Sequence, residues 1–223
     1  KAFQARLRTV REINSRALET VRVIVVTKFH PVSEMQQAIA AGVTEIGENR
    51  VQEAASKKSE LAGSHLRWHG IGQLQTNKAK TAIEVFDELH GIDRIELVDK
   101  LGRASAELQK TVACYLQVNV TGKVGQGGCS LSDIPRLLDS MNGYPFLKPV
   151  GLMCIASLEE EVGVVGIRNE FAAARSLRDQ MITEQRLPEY AGLSMGMSGD
   201  WEYAIAEGAT LIRIGTAIMG NRS

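Results

Sequence analysis

Strand-like and helix-like segments alternate along this chain from end to end, and that rhythm limits the possible folds more than any single motif. The stretch VRVIVV at 21–26 is β-branched and nearly continuous, with Arg22 its one charge, which is how a strand covered on both faces reads. Ahead of it, AFQARLRTVREINSRALETV carries Phe3, Leu7, Val10, Ile13, Ala17, Leu18 and Val21 at helical spacing and reads as a leading helix. Behind it, VSEMQQAIAAG reads as a helix with Ser33 as its cap and Gly42 at its stop, VTEIG as a short strand and NRVQEAASKKSELAG as a helix. Further extended segments are LRWHGIG, DELHGID, VACYLQVNV, PVGLMCIAS, YAGLSMG and TLIRIG. Between most of them lie the helical patterns LQTNKAKTAIEVF, RIELVDKLGRASAELQK, SDIPRLLDSMNG, VVGIRNEFAAARSLRDQMITEQ and SGDWEYAIAEG. About eight βα units result, the number of a (β/α)8 TIM barrel, a fold of roughly 250 residues. A doubly wound open sheet is the rival, since it has the same alternation and the same right-handed crossovers.

A hydrophobic fraction of 44% with 23% charged residues in 223 residues supports one core, and no Pro/Gly/Ser-rich linker interrupts it, so 1–223 is expected to be a single domain. Lys plus Arg and Asp plus Glu balance at 26 each, so the expectation is no nucleic-acid partner and no acidic membrane partner. Cys114, Cys129 and Cys154 are odd in number and widely spaced, which suits reduced thiols and a cytoplasmic protein rather than a disulfide framework or a zinc site. The apolar runs fall well short of the roughly 20 residues that span a bilayer. No heptad or apolar stripe is left over, so a monomer is expected.

In either parallel architecture the functional residues belong just beyond the C-terminal ends of the strands. The first strand ends at Lys28, either a lysine opening a surface loop or an amine held at a pocket mouth. Glu48 and Asn49 follow the second, His69, Gly72, Gln73 and Gln75 the third, and Asn119, Thr121 and Lys123 the fifth. The seventh supplies Ser194, Gly196 and Ser198, and the eighth Arg213, Gly215 and Thr216. GLSMGMSGDWEYAI and IRIGTAIMG set glycine and hydroxyl residues before predicted helices, where free backbone N–H groups receive phosphate. The alternative is that these are ordinary turn glycines with Ser198 a helix cap. Neither GxxxxGK[ST] nor GxGxxG is present, and TGKVGQGG lies in a polar loop. His65 and His69 stand four apart but cross a loop-to-strand boundary, so no metal site is expected. A strand-end lysine, a phosphate cup and an arginine fit pyridoxal 5′-phosphate, with a Schiff base on the lysine and the phosphate on amides. Lys57, Lys58, Lys78 and Lys80 sit on predicted helices and are expected to be solvated.

VVTKFHPVSEMQQAIAAGVTEIGENRVQEAASK, WHGIGQLQTNKAK, GLMCIAS and GLSMGMSGDWEYAIAEGATLIRIGTAIMG together resemble the pyridoxal-phosphate homeostasis protein family, whose members are alanine-racemase N-terminal-domain-like. The similarity runs essentially end to end. It implies a modified (β/α)8 barrel with a leading helix, and one pyridoxal phosphate joined to Lys28. It further implies the phosphate among Ser194, Ser198, Gly215 and Thr216, Arg213 at the pyridine nitrogen, Asn49 near the ring, and His69 and Met153 lining the pocket. Gly70 departs from the family pattern, which usually has a bulky apolar residue there.

The resemblance implies a noncatalytic protein that buffers or delivers the cofactor, with apo-enzymes dependent on pyridoxal phosphate as the partner class. An amino-acid racemase is the alternative, and it needs a base on each face of the substrate α-carbon. In the racemases the second base is a tyrosine on a C-terminal β-domain, and the expectation is that no such domain follows Ser223. Tyr115, Tyr144, Tyr190 and Tyr203 read as packing or surface residues. A sugar-phosphate barrel enzyme using Lys28 as its Schiff-base lysine is a third reading.

Overall fold

The computed structural model describes residues 2–15 and 21–220 and shows a closed barrel of eight parallel strands. The strands are β1 (Arg22–Val26), β2 (Glu45–Glu48), β3 (Arg67–Gly70), β4 (Glu88–Ile92), β5 (Val112–Gln117), β6 (Leu147–Met153), β7 (Gly192–Ser194) and β8 (Leu211–Ile214). Each pairs with its sequence neighbour, and β8 returns to β1 with Leu211 opposite Arg22 and Ile214 opposite Val25. That last ladder removes the open-sheet rival, because an open sheet leaves two edges unpaired.

Helix α1 (Ala2–Ile13) buries Leu7 and Val10 and sets Phe3 against Trp201, ring centroids 5.3 Å apart. It is shorter than its apolar spacing predicts. Ile13 is exposed and Ser15 has φ +56, a left-handed conformation that ends a helix. Ala17 and Leu18 lie outside the described residues, and Val21 is buried directly before β1.

Helices α2 (Val32–Ala40), α3 (Val51–Glu60), α4 (Ala79–Val85), α5 (Ile95–Glu107), α6 (Ile134–Met141), α7 (Glu159–Thr183) and α8 (Trp201–Ala206) follow successive strands, and α9 (Thr216–Met219) follows β8. Ser33 does not cap α2. Pro31 holds that position with φ −69, already suited to a helix start, and Ser33 falls inside the helix. Gly42 stops the same helix with φ +96, as expected. In α7, Gly163 has φ +66 and breaks the helix, so its regular part begins where the apolar pattern VVGIRNEF begins. Among the described residues no helix is long and apolar enough to cross a membrane.

The core between sheet and helices is apolar, but the barrel interior is not. Strand alternation turns Ile24, Gly47 and Ile71 inward together, and a Cβ added at Gly47 would lie 2.6 Å from the Ile24 side chain. Below them the same alternation turns Arg22, Glu45, His69, Glu88 and His90 toward one another. A strand expected to be apolar on both faces thus has its charged residue pointing into the barrel.

Gly102 of α5 illustrates how closely the outer layer packs. A Cβ there would lie 2.2 Å from the ring of Tyr144, whose hydroxyl donates to Asp99 over 3.1 Å. Gly102→Ala is expected to lower stability by about 1–3 kcal/mol, overpacking outweighing a helix-propensity gain of about 1 kcal/mol. Denaturant unfolding reads this directly, and an unchanged or raised midpoint would contradict it.

Candidate functional site

At the C-terminal mouth of the barrel lies an open cavity of about 330 Å³. Its lining includes Lys28, Asn49, Met153, Ser198, Arg213, Gly215 and Thr216, seven of the eight site residues expected from the sequence. The eighth, Ser194, is elsewhere. Its side chain is fully buried beneath the cavity, bonded to Arg213 and His90, because the last residue of β7 points inward rather than into the following turn.

Lys28 sits on a braced turn. Thr27 donates its hydroxyl to Glu48 over 2.6 Å, and its carbonyl accepts from the His30 amide at 3.1 Å and from Lys57 Nζ at 2.8 Å. Lys57 also donates to Glu48 and Glu53, each at 2.7 Å, and Glu53 accepts the Phe29 amide at 2.7 Å. Phe29 has φ +67, a left-handed conformation costing about 1–3 kcal/mol, and this network holds it there. Lys57 is therefore not solvated as expected. It is a buried cation tying α3 to the turn that presents Lys28. Burial raises the Glu48 carboxyl even though Lys57 and Thr27 oppose the shift. Among the described residues Lys28 itself makes no hydrogen bond or ion pair.

Arg213 is the other charge at the cavity, and it is 3% exposed. Its Nη1 donates to the Ser194 carbonyl at 2.7 Å and the Ser194 hydroxyl at 2.8 Å, and its Nη2 donates to the Cys154 carbonyl at 2.9 Å. Among the described residues no carboxylate lies within ion-pair distance of it. Burial lowers its pKa, yet a guanidinium remains charged near neutrality.

The turns after β7 and β8 leave donors free. Among the described residues the amides of Ser198, Gly199 and Thr216 have no hydrogen-bond partner. A Cβ added at Gly199 would meet nothing within 4 Å, and one at Gly215 nothing closer than 3.6 Å. These glycines are not required by packing and leave open backbone facing the cavity. Gly196 is different: φ +96 and an added Cβ 2.7 Å from Ala204 show that the fold itself requires it.

The remaining expected residues lie elsewhere. Glu48 braces the Lys28 turn, Asn119 and Thr121 bond within their own loop, and Lys123 pairs with Glu161. Lys80 pairs with Glu107, and Lys58 donates to the Val85 carbonyl. His69 does not line the cavity but faces the barrel interior, while His65 lines a groove with Arg67 and Lys148 at the opposite rim. The space that the family pattern gives to a bulky residue is taken over Gly70 by Phe86 and Leu89, each 2.9 Å from where a Cβ would stand.

What the sequence reading missed is the polar interior below Arg213. Ser194 Oγ lies 3.0 Å from His90 Nδ1, His90 Nε2 lies 3.1 Å from His69 Nδ1, and His69 Nε2 lies 3.2 Å from Glu45 Oε2. The His90 ring stacks on Tyr115 with centroids 4.4 Å apart. At the floor, Arg22 bridges Glu45 at 2.7 Å and Glu88 at 2.8 Å, and Arg67 reaches Glu88 at 2.7 Å. His69, Glu88 and His90 are close enough to share a metal, but the two arginines already neutralise the Glu88 carboxylate. The available signal was the two-residue spacing of Glu88 and His90, and of Arg67 and His69, within extended segments.

A model of the alanine racemase N-terminal domain matches residues 1–223. A pyridoxal phosphate homeostasis protein of Pseudomonas aeruginosa is 38% identical over 218 residues, 98% of this chain and 92% of that protein. The chain belongs to the pyridoxal phosphate homeostasis protein family. PipY of Synechococcus elongatus PCC7942, solved with PLP bound, superposes at TM-score 0.81 with 38% identity, covering 90% of this chain and 92% of that one. The same protein solved without PLP gives TM-score 0.83 at 36% identity, covering 95% and 99%. In this member of the pyridoxal phosphate homeostasis family, strand β1 delivers Lys28 and β8 delivers Arg213 to the same cavity mouth.

The buried histidine makes a pH prediction. Complete burial pushes His90 down to about 3, with Glu88 opposing the shift. A depressed pKa contributes stability that is full above the unfolded value of about 6.5 and is lost as pH falls toward the folded one. Unfolding free energy should therefore fall on acidification below about pH 6.5, by up to about 1.4 kcal/mol per pH unit for one proton. His90→Gln, which cannot take up that proton, should flatten this limb in denaturant titrations across the pH range, and an equally steep limb in the variant would refute the assignment.

Proposed function

We propose that this chain binds pyridoxal 5′-phosphate on Lys28 and acts as a reservoir or carrier of the cofactor rather than as an enzyme that turns substrate over. The observation that carries this reading is Arg213, a buried cation with no carboxylate partner among the described residues, facing the cavity that Lys28 shares. A pyridine nitrogen is an uncharged acceptor that suits a guanidinium held this way. The free amides of Ser198, Gly199 and Thr216, with open backbone at Gly215, suit the phosphate, while Asn49 and Met153 flank the ring position. Ser194 is reassigned from phosphate ligand to support of Arg213. When bound, the cofactor supplies an electrophilic aldehyde, and Lys28 is the amine at the cavity able to take it.

Racemisation needs an acid or base on both faces of the substrate. Lys28 and Arg213 are the titratable side chains among the lining residues, and an arginine is a poor base. Tyr115 is buried under His90 with its hydroxyl pushed up to about 12, Tyr144 bonds Asp99, Tyr190 is exposed, and none of the four tyrosines lines the cavity. The relative named for pyridoxal phosphate homeostasis supports the same reading. The partners it implies are apo-enzymes that need the cofactor, met by a monomer in the cytoplasm.

Borohydride reduction followed by peptide mass spectrometry should place the adduct on Lys28, and Lys28→Ala should lose the coloured adduct while keeping the fold. An adduct on another lysine would refute the assignment. Steady conversion of L- to D-alanine by the wild type, abolished in Lys28→Ala, would overturn the carrier reading.

A further inference from the structure

We propose that Glu53, Lys57 and Glu48 are positioning residues for Lys28, holding the turn that carries it in a form its own sequence disfavours; this rests on Lys28 taking the aldehyde, as read above. The His30 amide donates to the Thr27 carbonyl over 3.1 Å, so 27–30 is a four-residue turn with Lys28 and Phe29 at its centre. Phe29 has φ +67 and Lys28 is not left-handed, which is the type II pattern. That turn asks for glycine or asparagine at the position Phe29 holds. Type I, the commoner form, allows the same closing hydrogen bond and suits phenylalanine. It differs by turning over the peptide between the two central residues.

The three residues select between the two forms. The Phe29 N–H belongs to that central peptide, and it donates to Glu53 Oε1 on α3 at 2.7 Å. The same oxygen accepts from Lys57 Nζ at 2.7 Å, and Lys57 also donates to Glu48 Oε1 at 2.7 Å and to the Thr27 carbonyl at 2.8 Å. An ammonium has three donors, so each one is committed and Lys57 is no rival to Lys28 for an aldehyde. Glu48 Oε1 accepts the Thr27 hydroxyl at 2.6 Å, which fixes the first residue of the turn. Loss of the Glu53 acceptor frees the central peptide to turn over, returns Phe29 to negative φ, and unties the turn from α3. None of the three residues lines the cavity.

The rate at which the apo chain forms its adduct with pyridoxal 5′-phosphate, followed by visible absorbance, tests this. Glu53→Gln keeps an acceptor for the Phe29 amide and for Lys57, and is expected to react within about threefold of wild type. Glu53→Ala should slow the reaction about tenfold or more. The Glu53 side chain is 22% exposed, so this truncation is expected to leave the fold intact. Glycine takes a positive φ without strain, so adding Phe29→Gly to Glu53→Ala should bring the rate back to within about threefold of wild type. A role in stability alone would lower the unfolding midpoint of Glu53→Ala but give no such rescue. The Phe29 amide proton should also exchange about tenfold faster or more in Glu53→Ala. A folded Glu53→Ala that reacts at the wild-type rate, no rescue by Phe29→Gly, or unchanged amide exchange would overturn the proposal. Should Glu53→Ala not fold, Lys57→Met combined with Glu48→Gln, which removes the cation without stranding the Glu48 carboxylate, must show the same slowing and the same rescue. A wild type that forms no adduct on Lys28 would overturn the proposed function and this inference with it. A normal wild-type adduct with an unslowed Glu53→Ala defeats this inference alone.

Discussion

The pairing of β8 with β1 is the contact on which the site depends. Lys28 lies two residues past the end of β1, and Arg213 lies within β8, 185 positions later in the chain. Nothing local brings them together. The ladder that sets Ile24 opposite Arg213 and Val25 opposite Ile214 fixes Arg213 four residues below Lys28, so that the lysine at the rim and the arginine beneath it face one cavity. Closing so long a loop is entropically unfavourable, but the cost grows only with the logarithm of its length and is shared by the seven ladders that precede it. Failure of closure would leave the lysine on one edge and the arginine on the other.

Within the closed barrel, charge is sorted by height. The floor holds Arg22 and Arg67 against Glu45 and Glu88, two cations facing two carboxylates. Burial alone would raise the Glu88 carboxyl, but its contacts with His69, His90 and Arg22 outweigh that and hold it well below the usual carboxylate range. The middle is made of groups that carry no net charge when each histidine is neutral. At the top, Arg213 is bonded to two carbonyls and a hydroxyl and stands without a carboxylate partner among the described residues. Buried ion pairs add little net stability compared with apolar packing, so this interior is better understood as fixing directions than as strengthening the fold.

Much of this was legible in the sequence, and the gaps have physical causes. Strand and helix periods located about eight βα units because β1 and β5 carry β-branched or apolar runs and helices such as α5 and α6 an amphipathic pattern that sets the rhythm for the rest. Strand-end placement put Lys28, Asn49, Ser198, Arg213, Gly215 and Thr216 among the candidates, the family resemblance added Met153, and all seven line one cavity. Ser194 was misplaced because residues at the end of a strand alternate between facing the turn and facing the interior, and the short β7 gives too few residues to set the phase. Lys57 was misread for a different reason. Its helix is polar, and only the fold reveals that one face of α3 lies against Glu48 and the Thr27 carbonyl. The polar interior went unread because the strands are short: Arg22 stands alone in β1, and pairs two apart such as Arg67 and His69 give too few positions to show which face of the strand they occupy.

Arg213 also bears on why binding here need not lead to turnover. An acidic partner at a pyridine nitrogen protonates the ring and lets it draw electrons from a bound amino acid. Arg213 has no proton to give at neutral pH, since its guanidinium stays charged even though burial lowers its pKa. A ring facing it accepts a hydrogen bond without becoming a cation and remains a weak electron sink. Racemisation would need a base on each face of the bound substrate, whereas the cavity here offers Lys28 as its one plausible proton carrier among the described lining residues. A weak sink and a single base together favour reversible attachment of the aldehyde over removal of a substrate proton.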